Sequence, residues 1–176
     1  MKTMKYLAGA RHDWGSTSEF THYLVIAGII ASLDQMLKSS IDSEPVENFP
    51  RDMPKTKGKV RIMRAHNPGF TRGRFGQFPE AVKLASTAAV AFIAGGLQFL
   101  STFYPGQYKL RKLSMATVMG GALSNTIDRV VNGKVTDYLN IRFGPLKSLI
   151  VNIGDLAIYT GGLLYGISLL LPDKEE

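Results

Sequence analysis

The chain has 176 residues, enough for one domain, and its 21 Lys plus Arg against 14 Asp plus Glu give a formal net charge of +7. With no cysteine, disulfide scaffolds, thiolate catalysis and cysteine-based zinc sites are excluded. A mean hydropathy of +0.02 suggests an ordinary soluble protein, but the apolar residues are gathered into four runs: Tyr23 to Leu37, Ala81 to Phe103, Leu113 to Val131 and Leu149 to Leu171.

Lys2, Lys5 and Arg11 precede the first run as in a signal sequence, yet no small-residue cleavage pattern follows. The run therefore reads as an uncleaved span over about residues 20–41, with Trp14 and Phe20 as interfacial aromatics. Gly28 and Ser32 stand four apart, the spacing that lets helices approach closely. Asp34 and Lys38 are also four apart and can pair on the helix. They are either a solvated helix end or part of a site.

Residues 42–80 hold five prolines and most of the basic excess, with eight Lys and Arg between Arg51 and Arg74. Arginines interleaved with Phe70, Phe75 and Phe78 suit nucleic acid or anionic lipid headgroups; beside apolar spans, membrane lipid is the expected partner and nucleic acid is not. Lys59 to Ala65 alternates polar and apolar residues as a strand does, and His66-Asn67-Pro68-Gly69 reads as a turn. His66 is expected to be an ordinary exposed loop histidine.

The second span, residues 81–103, offers Ala94-Gly95-Gly96 as its packing contact. The third, about residues 111–131, carries Gly120 and Gly121, then Asn125, Asp128 and Arg129 at offsets that share one helical face. A hydrogen-bond cluster joining helices accounts for those three, with Arg129 holding its neighbour Asp128 ionised. Val135 to Leu139 is a β-prone piece in a loop. The fourth span, residues 149–171, opens with Asn152 and Asp155, three apart, and later has the Gly162/Gly166 packing spacing.

These elements predict an all-α integral membrane protein: a single domain over residues 1–176, built as a four-transmembrane-helix bundle with a small β-like extracytoplasmic loop substructure. Four spans bring the end of the first, the start of the second, the end of the third and the start of the fourth to one membrane face. Asp34, Lys38, Asn67, Asp128, Asp137 and Asp155 then converge. Two carboxylates brought close cannot both ionise comfortably, so they share a proton and can activate water with one member while protonating with the other. Asp137 and Asp155 are the candidates. No HExxH motif and no neighbouring histidine argue for a metal, and no serine there has a base at a defined offset. A proton relay in a small transporter uses the same acids and stays open.

At these residues the chain resembles signal peptidase II, the lipoprotein signal peptidase. Gly120 to Arg129 resembles the family's GGALGNxxDR, Val135-Thr136-Asp137-Tyr138 its VVDF, and Asn152-Ile153-Gly154-Asp155 its NxAD. Asp34, Gln35 and Lys38 match DQxxK, and Asn67-Pro68-Gly69 matches NxG. The resemblance implies an aspartic endopeptidase of the bacterial inner membrane, needing no cofactor or metal and acting as a monomer. It would cut before the diacylglyceryl-modified Cys of prolipoprotein signal peptides. It implies Asp137 and Asp155 as the catalytic pair, with Asp34, Lys38, Asn67, Gly69, Asn125, Asp128, Arg129 and Asn152 in substrate-binding and supporting roles. The loop after Gly69, FTRGRF, departs from the family's small residues, leaving an inactive relative that binds lipidated signal segments as the alternative.

Overall fold

The computed structural model describes residues 14–70, 74–144 and 149–171. Lys2, Lys5, Arg11, Arg72, the last five residues and the Trp14 side chain lie outside the described residues. The elements follow in the order α1 (Trp14–Ser43), β1 (Arg51–Asp52), β2 (Val60–Asn67), α2 (Pro79–Phe103), α3 (Lys109–Asn132), β3 (Val135–Ile141), β4 (Leu149–Val151) and α4 (Ile153–Leu170).

Local chemistry sets the helix boundaries. Pro79 starts α2, where its missing N–H goes unneeded. Gly133, at φ 72°, closes α3 and donates its N–H to Arg129 O at 3.2 Å. Asn152 caps α4 by accepting the Asp155 N–H at 2.7 Å.

α3 is the hub, packed against α1, α2 and α4. It gets close through glycine: a Cβ on Gly121 would stand 2.1 Å from Gly154 O, and one on Gly120 2.7 Å from Ala27 O. Gly161 of α4 meets Val118 and the Ser114 carbonyl in the same way. Of the contacts predicted at Ala94-Gly95-Gly96, Gly96 is met by Met115 Cε at 2.9 Å, whereas the predicted contacts at Gly28, Gly95, Gly162 and Gly166 are corrected, since nothing among the described residues lies within 4 Å of where their Cβ atoms would be. Spacing alone found small residues but not which of them face a neighbour.

Polarity runs inside out. Asp34, Lys38 and Asn152 are buried, whereas Phe92 is 85% exposed and Leu84, Leu163 and Leu170 also point outward. Large exposed apolar surface on helices whose interior is charged indicates a lipid surround rather than water. Three helices, over Ser18–Ser43, Pro79–Phe103 and Ile153–Leu170, are long and apolar enough to cross a membrane. α3 is not among them, because Lys109, Arg111, Lys112, Asp128 and Arg129 interrupt it.

The small β-like substructure expected beside the helices is present as one antiparallel sheet in the order β1-β2-β3-β4, which also draws in β3 and β4 from beyond residues 42–80. The strand predicted at Lys59 to Ala65 is present but continues through Asn67, so His66 lies in a strand and not in a turn. The fourth apolar run is divided: Leu149 to Val151 pairs with Leu139 to Ile141 as a strand, and the helix begins only at Ile153. Apolar composition suits both a buried strand and a helix, which is why the run read as one piece.

In the sheet, Ala65 faces Asp137, His66 faces Thr136 and Asn67 faces Val135. Alternation thus sends Asn67 and Asp137 to one face and His66 and Thr136 to the other. On the second face, Thr136 Oγ1 donates to Asp42 at 2.7 Å and His66 Nε2 lies 3.1 Å from the same carboxylate, docking the sheet on the end of α1.

Candidate active site

Helix periodicity brings Asp34, Gln35 and Lys38 of α1 against Ser124, Asn125 and Asp128 of α3. Lys38 Nζ lies 2.8 Å from Asp34, 2.9 Å from Asp128, 2.8 Å from Asn125 Oδ1 and 3.1 Å from Ser124 Oγ. The predicted Asp34/Lys38 pair therefore exists, but it is buried, which corrects its reading as a solvated helix end. Asp34 is held on both oxygens, by Ser124 Oγ at 2.6 Å and by the Tyr138 hydroxyl at 2.8 Å. Burial and the Asp34 charge push the Tyr138 hydroxyl well above the ordinary phenol range, so it remains a donor.

Asp128 takes hydrogen bonds from Gln35 and, at 3.4 Å, from the Thr136 N–H, with Lys38 as its ion partner. The expected pairing of Asp128 with Arg129 is corrected. Arg129 instead donates to Gly69 O at 3.0 Å and Asn125 O at 3.3 Å and lies over the Phe70 ring. Adjacent helical residues point in different directions, so a neighbouring charge in sequence is no guarantee of a pair.

Asp137 and Asp155 are wired to each other through two carboxamides. Asn152 Nδ2 donates to Asp137 Oδ1 at 2.8 Å and to Asn125 Oδ1 at 3.1 Å, while Asn125 Nδ2 donates to Asp155 Oδ1 at 2.8 Å. Each asparagine has its oxygen otherwise occupied, Asn125 by Lys38 and Asn152 by the Asp155 N–H. Their amide orientations are thereby fixed, and with them the two carboxylates. Asn67 Nδ2 reaches Asp137 Oδ2 at 3.4 Å and its Oδ1 accepts from the Gly69 N–H at 3.1 Å, so the candidate site residues named from the resemblance lie in one connected network.

The electrostatics single out Asp137, which is 6% exposed. Burial, and then the nearby Asp155 charge, push its carboxyl from 3.8 up to about 7, against the hydrogen bonds from Asn67 and Asn152. Both acids line a cavity of about 600 Å³. Its lining combines polar side chains, among them Asn67, Arg129, Asp137 and Asp155, with apolar ones such as Ile93, Val118, Val151 and Ile158. Such a space admits a ligand that carries both apolar and polar parts. Among the described residues no three His, Asp or Glu side chains group as metal ligands.

Sequence reasoning missed Ser124, Gln35, Thr136 and Tyr138 as parts of the network. Ser124 and Tyr138 stand where the motifs quoted above carry Gly and Phe, and each departure supplies a hydroxyl to Asp34. That coincidence was the signal available.

A mostly helical bundle with lipid-facing apolar surface and two linked carboxylates beside an amphipathic cavity defines a multi-pass membrane protein with a paired-acid site. The family model for signal peptidase (SPase) II matches residues 26–171. The chain belongs to that family, and it is a signal peptidase II-type protease. It is 29% identical over 154 residues to a lipoprotein signal peptidase of Moorella thermoacetica, covering 88% of this chain and 96% of that one. A lipoprotein signal peptidase of Desulfitobacterium hafniense is 30% identical over 152 residues, covering 86% and 95%. A bacterial membrane enzyme solved by the in meso method at 2.3 Å shares the fold, with a TM-score of 0.69 at 23% identity over 85% of this chain and 88% of that one.

Proposed function

We propose that this chain is an intramembrane aspartic endopeptidase of the bacterial inner membrane. It removes the signal peptide from diacylglyceryl-modified prolipoproteins, and Asp137 and Asp155 form its catalytic pair. In this reading α3 is a fourth span whose polar face is sealed by the other helices, and the chain is one membrane domain. The observation that carries the reading is the bridge of Asn125 and Asn152 between two buried carboxylates on one cavity.

The pair holds one proton near neutral pH. Its ionised member takes a proton from a water as the water oxygen attacks the carbonyl carbon before the lipidated Cys. The protonated member gives its proton to the carbonyl oxygen, forming a gem-diol. Collapse restores the C=O, breaks the C–N bond and delivers a proton to the departing amine, and the pair again holds one proton. Lys38 does not touch either acid directly; it reaches them through Asn125, so the pair is oriented without being neutralised. In this reading Asn67 and Arg129, which line the same cavity, hold the substrate backbone.

The test is processing of a diacylglyceryl-modified prolipoprotein, followed by mass spectrometry of the released signal peptide. Asp137→Asn and Asp155→Asn are each expected to abolish release while the protein still inserts in membranes. Full processing by either variant refutes the assignment. Binding of the lipidated segment by the wild-type chain without any cleavage supports the inactive relative instead.

A further inference from the structure

Two buried polar atoms that belong to residues lining the 600 Å³ cavity have no hydrogen-bond partner among the described residues: Thr126 Oγ1 and Arg129 Nε. Thr126 is 7% exposed and Arg129 9%. A helical hydroxyl has a ready local acceptor in the carbonyl four residues back. Ser86, Thr87, Ser114 and Thr117 all use it here, at 2.7 to 2.9 Å. Thr126 does not. A buried hydroxyl that forgoes its local bond while lining an open cavity is a donor without an acceptor, and such groups call for an explanation.

The position adds chemistry. Val118, Ala122 and Thr126 line the cavity on successive turns of α3, with Arg129 on the next. Polarity rises along that stripe from Val118 to Arg129. Thr126 therefore stands where a lipidated chain changes from hydrocarbon to its first polar groups. At that level both an ester of the glyceryl group and the peptide backbone present a carbonyl oxygen, which accepts from O–H and N–H donors. The position is also one the GGALGNxxDR motif leaves open.

We propose that Thr126 is a positioning residue whose hydroxyl, beside Arg129 Nε, donates a hydrogen bond to a carbonyl oxygen of the lipidated substrate and so sets its register against the acid pair. The proposal rests on the protease reading above. It is tested with purified full-length Thr126→Val, which keeps the side-chain shape and removes the hydroxyl, and with Thr126→Ser, which keeps the hydroxyl. Each is assayed on a diacylglyceryl-modified prolipoprotein peptide and, as substrate or competitor, on its dialkylglyceryl ether analogue.

Thr126→Val is expected to raise KM for the diester about 5- to 10-fold, the worth of one hydrogen bond. Its kcat should stay within about twofold of wild type, and Thr126→Ser should restore KM. A penalty confined to the diester identifies the ester carbonyl as the acceptor; one that persists with the ether identifies the peptide carbonyl. Wild-type KM for Thr126→Val on both compounds overturns the proposal, as does equal impairment of both variants with a lowered melting point. A wild-type protein that binds but cleaves neither compound refutes the protease reading itself, and is distinguished from these outcomes by having no turnover to compare.

Discussion

Replacing Asp137 by Asn should remove activity and, at alkaline pH, stabilise the protein. The carboxyl is raised from 3.8 to about 7 by burial and by Asp155, so the fold favours its protonated form. Its contribution is fully present below about pH 4 and is lost as pH rises through 7. At pH 8.5 the buried charge opposes folding by roughly three pKa units, or about 4 kcal/mol. Asn carries no charge, and its oxygen can still accept the bond from Asn152 Nδ2. For a chain of this length, 1 kcal/mol shifts the melting point by roughly 2–4 °C. Asp137→Asn should therefore melt roughly 8–15 °C higher than wild type at pH 8.5, with the gap closing toward pH 4. The assay is thermal unfolding in detergent across that pH range, followed by circular dichroism. A variant no more stable than wild type at pH 8.5, or equally more stable at both ends, would refute the electrostatic account of the site.

Loss of the shared proton should also shape catalysis: kcat/KM is expected to fall above about pH 7 with a limiting tenfold loss per pH unit, and a flat profile to pH 9 would contradict it. Lys38→Met removes the cation between buried Asp34 and Asp128 and should cost about 3–5 kcal/mol, read as a markedly lower melting point. Gly121→Ala places a Cβ 2.1 Å from Gly154 O and should destabilise by at least about 1–3 kcal/mol, lowering activity by shifting Asp155. Gly162→Ala, with nothing within 4 Å, should be neutral or slightly stabilising in the same melting experiment.

Much of the site was legible because its acids and amides interrupt apolar runs, and a polar residue there has few other places to go. Asp34, Lys38, Asn125, Asp128, Asn152 and Asp155 declare themselves in this way. What the sequence concealed was pairing. Asp128 follows the familiar logic of an acid beside an arginine, yet the helix turns Arg129 toward Gly69 and Phe70 and leaves Asp128 to Lys38. Small residues concealed their partners equally: Gly121 and Gly161 make the close approaches, while the more regular Gly162/Gly166 spacing faces outward. Leu149 to Val151 read as helix because its apolar residues suit either element; what makes it a strand is a distant partner in Leu139 to Ile141. Tertiary partners carry that information, and no local pattern does.

The wiring explains how a cation as buried as Lys38 coexists with the two linked carboxylates of Asp137 and Asp155. Lys38 and Arg129 are set among four carboxylates, those of Asp34, Asp128, Asp137 and Asp155. Lys38 is committed to Asp34 and Asp128, and its remaining contacts are the neutral Ser124 and Asn125. Asp34 cannot turn away from it, because Ser124 and Tyr138 hold both carboxylate oxygens. Asn125 then spends its oxygen on Lys38 and its amide on Asp155, placing a dipole rather than a charge next to the pair. Arg129 is drawn off to the backbone carbonyls of Asn125 and Gly69. With neither cation hydrogen-bonded to the two acids, burial and the Asp155 charge outweigh the attraction of Lys38 and raise Asp137 to about 7. The hydroxyls on Asp34 thus act on Asp137 at one remove, by fixing where the lysine charge sits.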